Sequence, residues 1–138
     1  MRACAFDYGT VRVGVAVVDE LGLLAHPRPA LPGRDRAALL QAICELVRDE
    51  SIEHIVVGLP LDMKGTESGS AKAVRVFATE IANATGLSVE LWDERLSTTQ
   101  AHRAMAEHTT TRQRKTRVDS AAACIVLQAW LEAQRGRR

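Results

Sequence analysis

Residues 6–19 read FDYGTVRVGVAVVD, and this stretch decides the fold. An apolar run ends at Asp7, a turn is built on Tyr-Gly-Thr, and a valine-rich run follows, which predicts two antiparallel strands joined by a tight turn. An ionised carboxylate at the end of a core strand is unfavourable unless it is paired or bound to a metal. Asp7 is therefore either a turn-forming residue or part of a functional site.

The composition predicts a single domain over residues 1–138. Hydrophobic residues make up 46% of the chain and charged residues 25%, as in ordinary globular proteins. We expect a cytoplasmic protein without membrane association, because there is neither a signal peptide nor an apolar run long enough to cross a bilayer. The three cysteines lack the paired spacing of a zinc site and the histidines occur singly, so neither set predicts a metal centre. A basic, disordered tail is expected at residues 134–138.

Charge is distributed unevenly along the chain. Residues 109–138 carry seven Lys and Arg against Asp119 and Glu132, which gives +5; because the whole chain is +1, residues 1–108 carry −4. A protein with this asymmetry can attract a polyanion with one surface and hold cations with another.

Hydrophobic periodicity predicts the order βββαβαβαα. The continuous apolar run IVVGLPL at 55–61 is typical of a central parallel strand covered on both faces. The predicted strands are 2–7, 11–18, a weaker one near 21–26, 55–60 and 87–92. The predicted helices run from the turn at 32–35 to about 50, from Ser68 or Ser70 to about 84, over 98–108, and from 118 or 119 to about 134. A hairpin-linked meander followed by strand–helix alternation predicts an α/β, ribonuclease-H-like fold: a mixed five-stranded sheet with helices on both faces.

The acidic residues fall at the ends of these elements. Asp7 closes the first strand, Asp93 and Glu94 close the fifth, and Asp119 opens the last helix. If the topology brings them together, they form an oxygen site for Mg²⁺ or Mn²⁺, and two such ions can drive phosphodiester hydrolysis. The alternatives are structural: Asp7 as a turn residue, Asp119 as a helix cap, and the 93–94 pair as solvated charge paired with Arg95 or Arg103.

The adjacent acids should differ in role. Alternation along LSVELW, residues 87–92, sends Asp93 and Glu94 to opposite sides. Glu94 has the longer reach from the strand end, whereas Asp93 can accept hydrogen bonds from the following turn. We therefore predict that Glu94 binds metal together with Asp7 and Asp119, and that Asp93 supports the turn.

Four segments resemble the motifs of the YqgF/RuvX family. They are FDYGTVRVGVAVVD at 6–19, VVGLPLDMKGTES at 56–68, WDERLSTTQA at 92–101 and VDSAAACIVLQAWL at 118–131. Members of that family are bacterial ribonuclease-H-fold proteins related to Holliday-junction resolvases and are regarded as pre-16S rRNA nucleases. The resemblance implies the same activity here and places the family's acidic positions on Asp7, on the pair Asp93 and Glu94, and on Asp119.

A basic segment precedes the last acid. Arg112, Arg114, Lys115 and Arg117 fall in a polar stretch that predicts a loop. Such a run is often only solvated, but beside a nuclease site it favours phosphate contacts, to which Arg12 and Arg95 would add. With five aromatic residues in the chain, recognition should depend on backbone and shape more than on base stacking.

Three functions stay open at this point. The first is a metal-dependent nuclease acting on structured RNA, or on branched or single-stranded DNA; a junction resolvase would act as a homodimer. The second is an ATP-binding domain, because D-x-G-T at a strand-turn-strand junction also resembles the phosphate hairpin of actin and sugar kinases. The third is a non-catalytic ribosome-assembly or nucleic-acid-binding factor.

Overall fold

The computed structural model describes the backbone of residues 1–97, 99–107 and 111–136, with the side chains of these residues except 107 and 111–118. The strands in this part of the chain are β1 (Ala3–Asp7), β2 (Arg12–Val18), β3 (Ala25–Pro32), β4 (His54–Leu59) and β5 (Val89–Asp93). The helices are α1 (Arg36–Asp49), α2 (Gly69–Thr85), α3 (Thr99–Glu107) and α4 (Thr111–Gly136), with a single 3-10 turn at Glu94–Leu96.

The five strands form one mixed sheet in the order β3-β2-β1-β4-β5. β1 pairs antiparallel with β2 and parallel with β4, which in turn pairs parallel with β5. Because β1, β4 and β5 are parallel, their C-terminal ends lie at one edge, which we call the site edge together with the loops at 8–11, 60–68 and 94–97. The opposite end, where β1 and β4 begin and β2 turns into β3, is the distal edge.

Both faces of the sheet are covered, as predicted. Alternation along β1 sends Cys4 and Phe6 to the face covered by α1 and α2, and Ala3 and Ala5 to the other face, where α4 packs. Small side chains under α4 let that helix lie close to the sheet. The mixed five-stranded α/β fold with helices on both faces is thus confirmed.

The third strand lies later than predicted. Residues 19–24, which overlap the predicted strand, form the turn: the Asp19 N–H donates to the Leu24 carbonyl at 3.0 Å, and Asp19 Oδ1 accepts from the Leu23 N–H at 2.8 Å. β3 contains three prolines, which argue against a central strand. They are tolerated because β3 is an edge strand, where a missing N–H leaves no partner unsatisfied.

The prediction of a loop around the basic segment is wrong. α4 begins at Thr111, so residues 112–117 have helical backbone, in keeping with the helix propensity of Arg, Gln and Lys. The helix breaks at Ser120, whose φ of −120° and ψ of 16° are not helical. Residues 134–136, expected to be disordered, are the end of α4, whereas 137 and 138 lie outside the described residues.

Ser120 explains the break. Its hydroxyl is completely buried, accepts from the Val15 N–H at 3.0 Å and donates to the Arg28 carbonyl at 2.7 Å. These two backbone groups lie where the β2–β3 register shifts between Val13 and Val15. The Ser120 side chain thus satisfies two backbone groups at a bulge in the sheet and fixes where α4 crosses β2.

None of the described helices is long and apolar enough to span a membrane.

Candidate functional site

Asp7 lies at the site edge, at the end of β1. It is half-buried, and burial raises the pKa of its carboxyl group above the ordinary value. Its carboxylate forms no hydrogen bond or ion pair with the described residues. An aspartate that stabilises a turn accepts hydrogen bonds from nearby backbone N–H groups, and no N–H group of the 8–11 loop donates to this carboxylate.

Glu94 approaches Asp7 from the end of β5. Burial first, and then the charges of Asp7 and Asp93, raise the pKa of the Glu94 carboxyl group. A Cβ placed on Gly58 in β4 would lie 2.7 Å from Glu94 Oε1 and 3.2 Å from Val126 Cγ2. The glycine therefore provides the space in which the Glu94 side chain lies across the end of the sheet.

Asp93 has a different environment from its neighbour. Its Oδ1 accepts from the Arg95 N–H at 2.9 Å and caps the 3-10 turn, while the Arg95 guanidinium donates to Oδ2 at 2.7 Å. The Arg95 side chain holds the pKa of the Asp93 carboxyl group below its usual range. Asp93 thus supports the turn, as the alternation argument predicted.

Asp119 comes to the site edge through the kink in α4. Its Oδ1 lies 3.2 Å from Arg12 Nη1. A Cβ on Gly14 of β2 would lie 2.9 Å from the Asp119 carbonyl oxygen and 3.4 Å from Asp7 Cβ. Gly14 therefore allows the close approach of α4 that brings Asp119 beside Asp7. Asp119 directly precedes Ser120, where α4 breaks into two helical stretches, and no backbone N–H group among the described residues donates to its carboxylate.

The three predicted ligands, Asp7, Glu94 and Asp119, do not all lie close enough together to form one complete metal site. No group of three His, Cys, Asp or Glu side chains within metal-binding range exists among the described residues. Asp7 and Glu94 are close enough to repel each other, whereas Asp119 is engaged by Arg12. The donors nevertheless fit Mg²⁺ or Mn²⁺, since they are carboxylate oxygens, partly shielded from water, whose repulsion a cation relieves.

The predicted phosphate-binding residues divide into two groups. Arg12 and Arg95 lie at the site edge, each paired with an acid, Asp119 and Asp93 respectively. The other four precede the kink in α4, and their side chains lie outside the described residues, so their phosphate contacts stay predictions. They are Arg112, Arg114, Lys115 and Arg117.

Sequence reasoning assigned no structural role to three residues that shape the site, although two of them, Gly14 and Gly58, match motif positions of the YqgF/RuvX resemblance. Gly14 and Gly58 interrupt valine-rich strands, which is a known signal of close backbone approach, and the structure gives each an acid-bearing neighbour. Ser120 carries no such signal, because its role depends on backbone groups far away in the sequence.

Three comparisons place the chain among known proteins. Proteins named "Putative pre-16S rRNA nuclease" from Myxococcus xanthus (strain DK1622) and Anaeromyxobacter sp. (strain Fw109-5) are 43% and 42% identical to it, over 98% and 97% of this chain and 90% and 98% of theirs. The structure of T. thermophilus RuvC in complex with Holliday junction substrate shares the fold, with a TM-score of 0.64 and 14% identity over 99% of this chain and 96% of that one. The family described as "RuvX: Holliday junction resolvase" matches residues 1–133, and the chain belongs to that family.

Proposed function

We propose that this protein is a cytoplasmic, metal-dependent nuclease that hydrolyses phosphodiester bonds of structured nucleic acid, and that its substrate is the 5′ end of pre-16S rRNA. The observation that carries the proposal is the pair Asp7 and Glu94, two half-buried carboxylates at one edge whose pKa values are raised. Acids in that condition are typical of functional sites. The names of the relatives support the choice of substrate.

Asp7 and Glu94 are the proposed metal ligands, with Asp119 as the third. When bound, Mg²⁺ or Mn²⁺ ions supply a nucleophilic water and stabilise the leaving oxygen. Asp93 holds the 3-10 turn so that the Glu94 side chain projects across the end of the sheet. Gly58 leaves room for that side chain.

Arg12 and Arg95 are the proposed phosphate contacts nearest these acids. Each guanidinium is exposed and uses some of its donors on one carboxylate, which leaves other N–H groups for a phosphate oxygen. The basic residues at 112–117 would extend this surface along the substrate backbone.

Incubation with labelled substrates tests the proposal. The panel is an RNA with a 5′ precursor extension, single-stranded DNA and a four-way junction, each with Mn²⁺, with Mg²⁺ and with chelator. We expect cleavage of the RNA that requires metal and is lost in Asp7→Asn. Asp49→Asn, at an exposed carboxylate next to Glu50 and the start of β1, lies at the distal edge; it is the matched control and should retain activity.

Other outcomes favour the other functions. Paired symmetric cuts in the four-way junction by a homodimer would favour a resolvase, which is the printed description of the family. Metal-independent binding of RNA without any cleavage would favour an assembly factor. Nucleotide binding without affinity for RNA or DNA would favour the ATP-binding alternative.

A further inference from the structure

Three exposed apolar residues lie at the site edge. One follows each of its three strand ends: Val11 after β1, Met63 after β4 and Leu96 after β5. Met63 is the extreme case, with 97% of its side chain exposed. Single exposed apolar residues are common on protein surfaces, so exposure alone indicates nothing. What distinguishes Met63 is the construction and position of its loop.

The loop that carries Met63 is closed by hydrogen bonds to the side chain and the carbonyl of Asp62. Asp62 Oδ1 accepts from the N–H groups of Lys64 at 2.9 Å and Thr66 at 2.8 Å, and the Gly65 N–H donates to the Asp62 carbonyl at 2.9 Å. Gly65 adopts a φ of 79°, which favours glycine. The loop thus presents Met63 at its tip in a fixed backbone conformation.

The same loop lies against Arg95, which is next to Glu94 in the chain. A Cβ on Gly65 would lie 3.5 Å from Arg95 Nη2, and Arg95 in turn binds Asp93, the neighbour of Glu94. β4 lies between β1 and β5 in the sheet. The loop after β4 therefore begins between the end of β1, at Asp7, and the end of β5, which Glu94 follows. Lys64, next to Met63, is exposed and offers a cation for a phosphate.

We infer that Met63 is a base-contacting residue: its side chain packs against an unpaired nucleobase of an RNA strand whose backbone passes Lys64 and Arg95. A thioether is polarisable and packs well on flat rings, and apolar side chains including methionine insert between bases. An unpaired base exposes its face, whereas the bases of an A-form duplex are stacked. The inference rests on the proposed function for its choice of RNA.

Binding measured in chelator, without cleavage, tests the inference. Two labelled RNAs are used, a hairpin with a single-stranded 5′ extension and a blunt duplex of equal length. We expect Met63→Ala to weaken binding of the extended hairpin by about 2- to 10-fold, with unchanged binding of the duplex and an unchanged salt slope. Met63→Leu should restore most of the affinity. Leu21→Ala, at a side chain 80% exposed on the distal edge, is the matched control and should bind as wild type.

Several results would overturn the inference. These are wild-type affinity in Met63→Ala, an equal loss on both RNAs, the same loss in Leu21→Ala, or no binding of the extended hairpin by the wild-type protein. A 2-aminopurine in the extension gives a second readout, since its fluorescence should change on binding to wild type and less on binding to Met63→Ala. Failure of the proposed function can be told apart from failure of this inference. In the first case Mn²⁺-dependent cleavage is absent while Met63→Ala still weakens RNA binding.

Discussion

Glu50 at the distal edge and the pair Asp7 and Glu94 at the site edge have opposite electrostatic environments. At the distal edge, Glu50 accepts from Arg2 at 2.9 Å and from Arg28 at 3.1 Å, and Arg2 also donates to the carbonyls of Glu50 and Val18. At the site edge, the carboxylates of Asp7 and Glu94 have no cationic partner among the described residues. The charge of Glu50 is compensated by two arginines, whereas those of Asp7 and Glu94 are not, within the part of the chain that the structure describes.

This difference separates structural from functional acids. An acid held by two arginines has its charge compensated and does not need a cation for that purpose. Two acids that repel each other destabilise the fold, a condition found where the charges serve a function. The same contrast occurs between neighbours, since Asp93 is held by Arg95 while Glu94 faces Asp7.

The largest expected effect comes from removing a charge at each edge. Asp7→Asn should reduce metal-dependent hydrolysis by about a thousandfold or more, because several kcal/mol of transition-state stabilisation depend on the bound metal. The variant should melt at a higher temperature than wild type, because a neutral asparagine avoids the cost of burying an ionised carboxylate. Glu50→Gln should do the reverse, with activity retained and the free energy of unfolding lowered by about 1–2 kcal/mol. Cleavage rates and melting curves of both variants decide this, and a folded, active Asp7→Asn protein contradicts it.

Gly58→Ala should displace the Glu94 carboxylate without removing it. The added methyl group would lie 2.7 Å from Glu94 Oε1, a flexible atom that can move, and 3.2 Å from Val126 Cγ2, which must shift by a few tenths of an ångström, so we expect a folded protein with a small loss of stability. Activity should fall by about 100-fold, since an ångström of misplacement in a catalytic group has that effect. Gly69→Ala, where a Cβ meets nothing within 4 Å, is the control. Equal activity of the two variants would show that the Glu94 position is unimportant.

The adjacent acids provide a third test at smaller scale. Glu94→Gln should weaken Mn²⁺ binding while leaving stability unchanged or slightly increased. Asp93→Asn should lower the free energy of unfolding by about 1 kcal/mol, through loss of the turn cap and the Arg95 pairing, with a smaller effect on Mn²⁺ affinity. Metal titration and thermal melts of both variants give the comparison. The reverse pattern would mean that the two roles are exchanged.

The smallest effect expected is on the pH dependence of stability in chelator. The folded-state pKa of Asp7 lies above its unfolded value, so the folded state binds more protons between the two values. The free energy of unfolding should therefore fall as pH rises from the unfolded pKa of Asp7, about 4, through its raised folded pKa. Above the folded pKa, the full cost of burying the ionised carboxylate is present. The difference in unfolding free energy between Asp7→Asn and wild type should grow with pH over this window. A constant difference would show that Asp7 is not desolvated.

The parts of the fold that were predictable depend on local patterns. The apolar run of β4, the hairpin of β1 and β2, and the capping of the 3-10 turn by Asp93 follow from alternation and turn chemistry. The role of Glu94 as a metal ligand stays a prediction. The start of β3 was misplaced because its prolines suit only an edge strand, and edge position is a property of the whole sheet. The kink in α4 could not be predicted, since Ser120 binds backbone groups 105 and 92 positions away.

The central claim is that the unpaired carboxylates of the site edge bind a divalent cation, and calorimetric titration with Mn²⁺ tests it most directly. The wild-type protein should bind Mn²⁺ with measurable heat, Asp7→Asn should lose that binding while remaining folded, and Glu50→Gln should bind as wild type. Equal Mn²⁺ affinity in wild type and folded Asp7→Asn would contradict the claim.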